Sequence, residues 1–454
     1  MLTLQTTGEV RSVAGIPGAL AAGVVVSRYT APMGRKLTFI HAADVHLGAP
    51  FRGLRALSEA WADRLLRAIP EAFDRVIEAA IDRAVDFVVI AGDIFDTSRG
   101  SYADYVHFSE GCRRLQRAGI PVYFCTGNHD PYTSWQGRMV DLPENAHMFS
   151  ADKPSFFLHE RDGEPLALLG GRGYYNQTWS HAEDISAGVS REAAEAALGT
   201  TAPFMVGVLH TGLHLDRVKA PCDPKALYAR GVDYWACGHV HMPWQDAPEN
   251  PRIAFSGIIQ GRDIKETGPR GVWQVTLEEG LPNTAVFIPT ASVVWERLTV
   301  DVAGLESLTA VQEKIMREEF RANGDAHCEE MVTRVTLAGA TPLHGLLQRP
   351  GVLEDVRANL NRGYSMFFCD ALVDATVQPL DRAALRREGL FPAVFMQAAD
   401  ALQGDELAER ALLQDEFLKL GMTLPASTER SVGELSQSAE RLVLDLLLGT
   451  GDAS

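Results

Sequence analysis

Short apolar runs that end in polar residues alternate with amphipathic segments along the first third of the chain. The runs at residues 37–44, 86–93 and 120–130 predict three β-strands. Between them, apolar residues at helical spacing predict helices over 58–85, with Pro70 in the first turn of a second helix, and over 102–118. This alternation predicts a sheet covered by helices.

The strand pattern continues through the middle of the chain and then changes. Further strands are predicted at 165–170, 202–210, 232–241, 252–257 and 271–277, which indicates a sandwich of two sheets. Beyond residue 296 the pattern predicts a helix over 305–323, two strands at 331–337 and 365–373, and then mostly helix.

These changes divide the chain into three predicted segments. Residues 1–34 form an N-terminal extension, which is either disordered or precedes a true start at Met33. Residues 35–296 form the larger domain. Residues 297–454 form a smaller accessory domain that is largely helical towards the C-terminus.

Composition and charge restrict the function. The formal net charge of -17 argues against a surface that coats a polyanion, because phosphate binding needs a local excess of Lys and Arg. Any contact with nucleic acid is therefore local, metal-mediated or shared with a partner. The six cysteines are scattered, without a C-x-x-C pair, which favours a reducing cytoplasm, and no apolar stretch is long enough to span a membrane.

Acidic, amide and imidazole side chains recur at the ends of the predicted strands. Asp44 and His46 flank a single residue at the end of the first strand, so their side chains are expected on the same side. Together these donor types suit a hard-to-borderline divalent cation. The predicted ligands are Asp44, His46, Asp93, Asn128, His210, His239 and His241.

Seven ligands predict two metal ions. Two ions would suit the hydrolysis of a phosphate ester. That reaction needs a hydroxide nucleophile at neutral pH and neutralisation of charge on the phosphoryl oxygens, and two cations provide both. Asp93 is the expected bridging ligand. One ion is then assigned to Asp44, His46 and His241, and the other to Asn128, His210 and His239.

Three further residues are candidates for work on the substrate. His129 is expected to face away from the ligands, towards substrate, where it stabilises the transition state or protonates the leaving oxygen. Asp96 is placed to orient His129, although a helix N-cap is an equal alternative. Arg262 lies in a Gly-rich loop and is predicted to bind a substrate phosphate, with simple pairing to Glu266 as the alternative.

The motifs occur in an order that resembles a known family. D-V-H at 44–46, G-D-I-F-D at 92–96, G-N-H-D at 127–130, H-T at 210–211 and G-H-V-H at 238–241 resemble the calcineurin-like metallophosphoesterase superfamily. The segments around 41–51 and 260–271 are similar to the SbcD-type DNA repair exonucleases, in particular their YhaO-like bacterial branch. Thr97 and Ser98 stand where Ser/Thr phosphatases have Arg-Gly.

The resemblance implies more than the residues do by themselves. It implies that residues 35–296 are a catalytic domain, built as a four-layered α/β/β/α metallophosphoesterase sandwich, and that a smaller C-terminal α+β accessory domain follows. It also implies two-metal hydrolysis of phosphodiester bonds in DNA by a repair exonuclease. Manganese is the expected metal, with magnesium, iron and zinc left open. The alternative is a phosphodiesterase or phosphatase for small nucleotides or other small phosphoesters, which the acidic charge favours.

The resemblance also implies partners. DNA is the expected substrate, and an SMC-like coiled-coil ATPase is expected to dock on the C-terminal helices, whose exposed apolar face would include Leu444 and Leu446. A homodimer is a further expectation. An inactive scaffold is a third hypothesis, which the complete ligand set disfavours.

Overall fold

The computed structural model describes residues 34–50, 58–96, 100–135, 141–180, 183–216, 218–326, 328–362, 366–403, 405–425, 428 and 431–448. The predicted N-terminal extension lies, apart from residue 34, outside the described residues.

The strands are named in chain order. They are β1 (Lys36–Ala42), β2 (Phe87–Ala91), β3 (Val122–Cys125), β4 (Ala146–Met148), β5 (Ser155–Arg161), β6 (Glu164–Arg172), β7 (Phe204–His210), β8 (Tyr234–Gly238), β9 (Trp244–Gln245), β10 (Ile253–Phe255), β11 (Gly271–Glu278), β12 (Thr284–Pro289), β13 (Val293–Asp301), β14 (Glu330–Ala340) and β15 (Phe367–Val377).

The helices are named in the same way. They are α1 (Glu59–Asp82), α2 (Tyr102–Arg117), α3 (Tyr132–Trp135), α4 (Arg191–Leu198), α5 (Pro224–Tyr228), α6 (Leu308–Ala326), α7 (His344–Leu347), α8 (Val352–Leu360), α9 (Arg382–Glu388), α10 (Phe391–Leu402), α11 (Glu406–Lys419) and α12 (Val432–Leu448).

Two six-stranded sheets form the catalytic domain. The first has the order β12-β11-β1-β2-β3-β4, with β1 to β4 parallel, and the second has the order β5-β6-β7-β8-β10-β9, with β6, β7, β8 and β10 parallel. Every residue of β2 and β7 is buried, as expected for parallel strands covered on both faces.

The two sheets pack face to face, with helices outside them. Phe39, Phe87, Val206 and Ala236 belong to the cluster between the sheets. A second cluster joins α1 and α2 to the outer face of the first sheet, and a third joins α4 and α5 to that of the second. This arrangement confirms the predicted four-layered α/β/β/α sandwich.

The break predicted in the first helix is wrong, and one of the two alternatives for Asp96 is excluded. Residues 59–82 form one helix that contains Pro70, because buried apolar residues on both sides of the proline, Leu65 and Phe73 among them, hold the turns against the core. Ser101 caps α2 in a capping box with Asp104, so Asp96 is not the N-cap of that helix.

The accessory domain contains a parallel sheet in the order β13-β14-β15. The helix α6 connects β13 to β14, and Val311 and Ile315 pack it onto the sheet. Trp295 on β13 packs with Trp61 of α1, so the accessory sheet contacts the catalytic domain. The strand β13 runs across the boundary predicted after residue 296, and that boundary stays a prediction.

Helices α9 to α12 follow the accessory sheet. Leu446 on α12, a member of the predicted apolar face, is 63% exposed, whereas Leu444 is fully buried and does not belong to that face. Leu442, which was not part of the prediction, is 60% exposed. Among the described residues, no helix is both long and apolar enough to cross a membrane.

Candidate metal centre

The predicted ligands gather where parallel strands of both sheets end. Within each sheet the carboxyl ends of parallel strands share one edge, which places the loops after them side by side. Asp44 and His46 follow β1, Asp93 follows β2, Asn128 and His129 follow β3, His210 ends β7, and His239 and His241 follow β8.

The backbone at this edge is unusual. The strand β1 ends at Ala42, so the strand alternation predicted to align Asp44 with His46 is absent. Instead both residues, together with Asp93 and His239, have positive φ angles of 49°, 51°, 50° and 101°. Non-glycine residues rarely adopt this conformation, and it concentrates at functional sites. Loop strain therefore directs these side chains inward.

The side chains form two groups that could each hold a cation. Within each group the ligand atoms lie within 4.8 Å of one another, and Asp44 belongs to both groups. The groups are Asp44 with His46 and His241, and Asp44 with Asp93 and His210. Asn128 extends the second group, because its Oδ1 lies 3.2 Å from His210 Nε2. The ring of His239 lies beside that of His210, with 5.4 Å between the centroids.

Asp93 is a member of the second group and also lies near His46 of the first. Its Oδ2 is 3.3 Å from His210 Nε2 and 3.9 Å from His46 Nε2. Its Oδ1 accepts the backbone N–H of His129 at 2.7 Å. A carboxylate in this position suits the bridging role predicted for it, which stays a prediction along with the assignment of ligands to ions.

A glycine makes this packing feasible. A side chain at Gly127 would collide with the carboxylate of Asp93, so the loop after β3 approaches that ligand closely only without a Cβ.

The electrostatics of the group fit divalent cations. Burial raises the pKa of Asp44, which is a carboxylate short of compensating positive charge. Burial lowers the pKa of His46 well below its usual range, so the ring is neutral and has a lone pair for a metal. The Nδ1 of His46 is buried without a hydrogen-bond partner in the described part of the chain. Bound cations would supply the missing positive charge.

One ion pair partly neutralises the site in the structure. Burial would lower the pKa of His210, but the carboxylate of Asp93 outweighs it and raises that pKa to about 9. Burial likewise opposes ionisation of Asp93, but His210 outweighs it and lowers the pKa of Asp93.

His129 lies beside the groups and belongs to neither. Its side chain is 47% exposed, its Nδ1 is 3.9 Å from Asp96 Oδ1, and its ring centroid is 5.0 Å from that of His46. The neighbouring carboxylate of Asp96 is the main cause that raises the pKa of His129. The structure therefore brings His129 and Asp96 together, as predicted, at the open side of the site.

Arg262 contacts an acidic residue of its own loop. Its backbone N–H donates to Glu266 Oε2 at 2.8 Å, and its Nη2 lies 3.1 Å from Glu266 Oε1 and 3.2 Å from His241 Nδ1. Pairing with Glu266, the alternative considered from the sequence, is thus present. A role of Arg262 in binding substrate stays a prediction.

Sequence reasoning missed the contacts that three carboxylates make with the ligand loops. Asp130 is fully buried and accepts the backbone N–H groups of Ile94 and Gly127 at 2.8 and 2.7 Å, which ties the loops after β2 and β3 together. Its position as the last residue of G-N-H-D was the available signal. Asp216 and Glu266 contact His239 and His241, but lie 23 and 25 residues from them in no shared motif.

The fold and the two overlapping ligand groups define a dimetal phosphoesterase class. The family model described as calcineurin-like phosphoesterase matches residues 37–243, and the one described as the metallophosphoesterase YhaO middle domain matches residues 295–377. The chain is 33% identical over 328 residues to the uncharacterized metallophosphoesterase YhaO of Bacillus subtilis, covering 70% of this chain and 76% of that protein. The chain belongs to the calcineurin-like metallophosphoesterase family, as the motifs predicted.

Other relatives are named for DNA repair. The DNA double-strand break repair protein Mre11 of Aeropyrum pernix is 27% identical, over 51% of this chain and 56% of that protein. Mre11 of Haloferax volcanii is 23% identical, over 61% of this chain and 57% of that protein. The chain thus spans little more than half the length of these two relatives.

Two solved structures are also similar. TT1561 of Thermus thermophilus has a TM-score of 0.34 at 12% identity, and the match covers 56% of this chain and 99% of that one. A dimetal phosphatase from Danio rerio has a TM-score of 0.35 at 13% identity, with 55% and 98% covered.

Proposed function

We propose that this phosphoesterase hydrolyses phosphodiester bonds in DNA, as a repair exonuclease that uses two divalent metal ions. The observation that carries the proposal is the pair of groups that share Asp44, with Asp93 of the second group near His46 of the first and His129 beside both. The relatives named Mre11 support DNA as the substrate.

The residues divide into those that hold metals and those that act on substrate. Asp44, His46 and His241 would hold one ion, Asn128, His210 and His239 the other, and Asp93 both. When bound, two such cations supply a hydroxide nucleophile and neutralise charge on the phosphoryl oxygens. Manganese is proposed on the resemblance to SbcD-type exonucleases, because the carboxylate, amide and imidazole donors suit magnesium, iron and zinc as well.

His129 would act on the leaving oxygen. Its half-exposed ring faces the open side of the site, where a substrate enters, and Asp96 orients it through Nδ1. The opposite ring nitrogen, Nε2, is then the one that donates a proton to the departing oxygen or a hydrogen bond to the phosphoryl group.

The test compares large and small phosphodiesters. Hydrolysis of single-stranded and duplex DNA, cyclic nucleotides and an aryl phosphodiester is measured with manganese, for the parent protein and for Asp93→Ala and His129→Ala. We expect DNA to be cleaved and both variants to lose activity. Asp152→Asn, which changes an exposed carboxylate in the loop after β4, is the matched control and should retain activity.

The second candidate function is hydrolysis of small phosphoesters. The net charge of -17 favours it, because a strongly acidic chain repels a long polyanion. Turnover of the small substrates alone would replace the nuclease proposal with this one. Full activity of both Asp93→Ala and His129→Ala would refute the site for either function.

An ATPase partner and a cellular location complete the proposal. We propose that a coiled-coil ATPase covers the exposed apolar residues of the C-terminal helices, such as Leu442 and Leu446 on α12. Co-purification with and without substitution of both leucines by Ser tests this contact. A cytoplasmic location is supported by the six free cysteines. The homodimer stays a prediction.

A further inference from the structure

Both histidines of G-H-V-H contact a carboxylate through one of their two ring nitrogens. The Nε2 of His239 lies 3.0 Å from Asp216 Oδ2, and the Nδ1 of His241 lies 2.6 Å from Glu266 Oε1. We propose that Asp216 and Glu266 are positioning residues of the metal centre, and that they make His239 present Nδ1 and His241 present Nε2 to the metals. The inference rests on the proposed two-metal function.

The carboxylates select the tautomer. A neutral imidazole has one N–H and one lone pair, and a carboxylate accepts only the N–H. With Asp216 on Nε2 of His239, the lone pair lies on Nδ1. Glu266 Oε1 lies 2.6 Å from Nδ1 of His241, closer than Arg262 Nη2 at 3.2 Å, so Nδ1 carries the N–H. The lone pair then lies on Nε2, the atom 3.3 Å from His46 Nε2 and 3.9 Å from Asp44 Oδ1.

The other two histidines are held differently. The Nδ1 of His210 lies 2.9 Å from the backbone carbonyl of Ala91, which selects Nε2 for the metal without a charge. The Nδ1 of His46 is buried and has no hydrogen-bond partner among the described residues. An imidazole whose N–H is held by a carboxylate donates its lone pair to a metal more strongly than one held by a carbonyl. An acidic partner therefore raises the metal affinity of His239 and His241.

Each carboxylate uses both of its oxygens as acceptors. Asp216 Oδ1 accepts the backbone N–H of Val218 at 2.8 Å, while Oδ2 faces His239. Glu266 Oε2 accepts the backbone N–H of Arg262 at 2.8 Å, while Oε1 faces His241. An amide of the same shape has one acceptor oxygen, so it must turn its NH2 towards one of the two donors.

The loop of Glu266 is anchored to the accessory sheet. The backbone N–H of Gly268 donates to Trp295 O at 2.9 Å, and Trp295 Nε1 donates to Gly261 O at 3.0 Å. Arg270 Nη1 donates to the carbonyl of His241 at 3.1 Å, which binds the same loop to the histidine backbone. The distance between Glu266 and His241 is thus set by contacts on both sides of the loop.

The test measures metal affinity in the full chain. Manganese is titrated calorimetrically into metal-free parent protein, Asp216→Asn, Glu266→Gln and the double variant. Loss of such an orienting carboxylate is expected to weaken binding by about 10- to 100-fold. Each single variant should bind one of the two ions more weakly, and the double variant should bind both ions more weakly. Asp263→Asn, an exposed carboxylate in the loop of Glu266, is the matched control.

Two further readouts separate positioning from folding. Thermal unfolding of the metal-free variants should match the parent, and a higher manganese concentration should restore two bound ions. The two carboxylates lie on separate loops, so one well-folded variant is enough for the test.

If the parent protein binds two ions and a folded Asp216→Asn or Glu266→Gln variant binds them with the same affinity, this inference is wrong and the proposed function stands. Parent protein that binds no divalent metal would overturn the proposed function as well.

Discussion

Stability should depend on the ionisation of a buried acid in the accessory domain. Glu319 on α6 is 3% exposed and accepts a hydrogen bond from the Thr333 hydroxyl at 2.7 Å. Burial is the main cause that raises the pKa of Glu319 from 4.5 to about 7. The folded protein therefore keeps this carboxyl protonated at pH values where the unfolded chain has lost the proton.

The direction and size of the effect follow from this difference. Between pH 4.5 and about 7 the folded state binds one proton more than the unfolded state, so stability falls as pH rises. Each pH unit contributes about 1.4 kcal/mol, which gives about 3 kcal/mol over the whole window. This contribution is present in full below pH 4.5 and is lost as pH rises through about 7.

The assay compares unfolding by urea in the parent protein and Glu319→Gln between pH 4 and 8. The glutamine keeps an acceptor oxygen for Thr333 and cannot ionise, so the free energy of unfolding of the parent should fall relative to the variant as pH rises. Glu313→Gln, an exposed acid on the same helix, is the control and should parallel the parent. A pH-independent difference between parent and Glu319→Gln would refute the reasoning.

Three more predictions concern the metal centre and the domain contact. Gly127→Ala should lower the rate of metal-dependent hydrolysis by about 100-fold, because the added methyl displaces Asp93. A rate equal to that of the parent would show that the loop after β3 can move to accept the methyl without displacing Asp93. Removal of metal with a chelator should lower the free energy of unfolding, by about 3 kcal/mol relative to protein at a metal concentration 100 times the Kd; calorimetric scans that do not change would contradict a metal site. Trp295→Ala should cost about 3–5 kcal/mol in urea unfolding, because it opens a cavity beside Trp61; a cost below 1 kcal/mol would show that the contact is loose.

The layered fold could be predicted because local pattern determines it. Strands such as β2 and β7 are continuous apolar runs, and helices such as α2 have clear capping residues, so periodicity and end signals sufficed. The interruption predicted at Pro70 failed, because packing of α1 on the first sheet overrides the local preference of one proline.

The candidate site was predicted in composition but not in the reason for its geometry. Asp44 and His46 converge through left-handed backbone after the end of β1, a conformation that neither residue type indicates. Pairing of Arg262 with Glu266 was one of two alternatives, and the folded chain shows it because Glu266 lies beside both Arg262 and His241. The other alternative, phosphate binding by Arg262, stays a prediction.

The sequence by itself determined a sandwich of two sheets with helices and the set of acidic, amide and imidazole side chains at strand ends, because these follow from apolar periodicity. The family and its four-layered class followed from the resemblance that the short motifs carry. Only the tertiary structure decided which atoms face one another. Asp216 and Glu266 reach His239 and His241 from separate loops, and the accessory strand β13 anchors one of them. Such contacts join residues that are distant along the chain, so no local pattern encodes them.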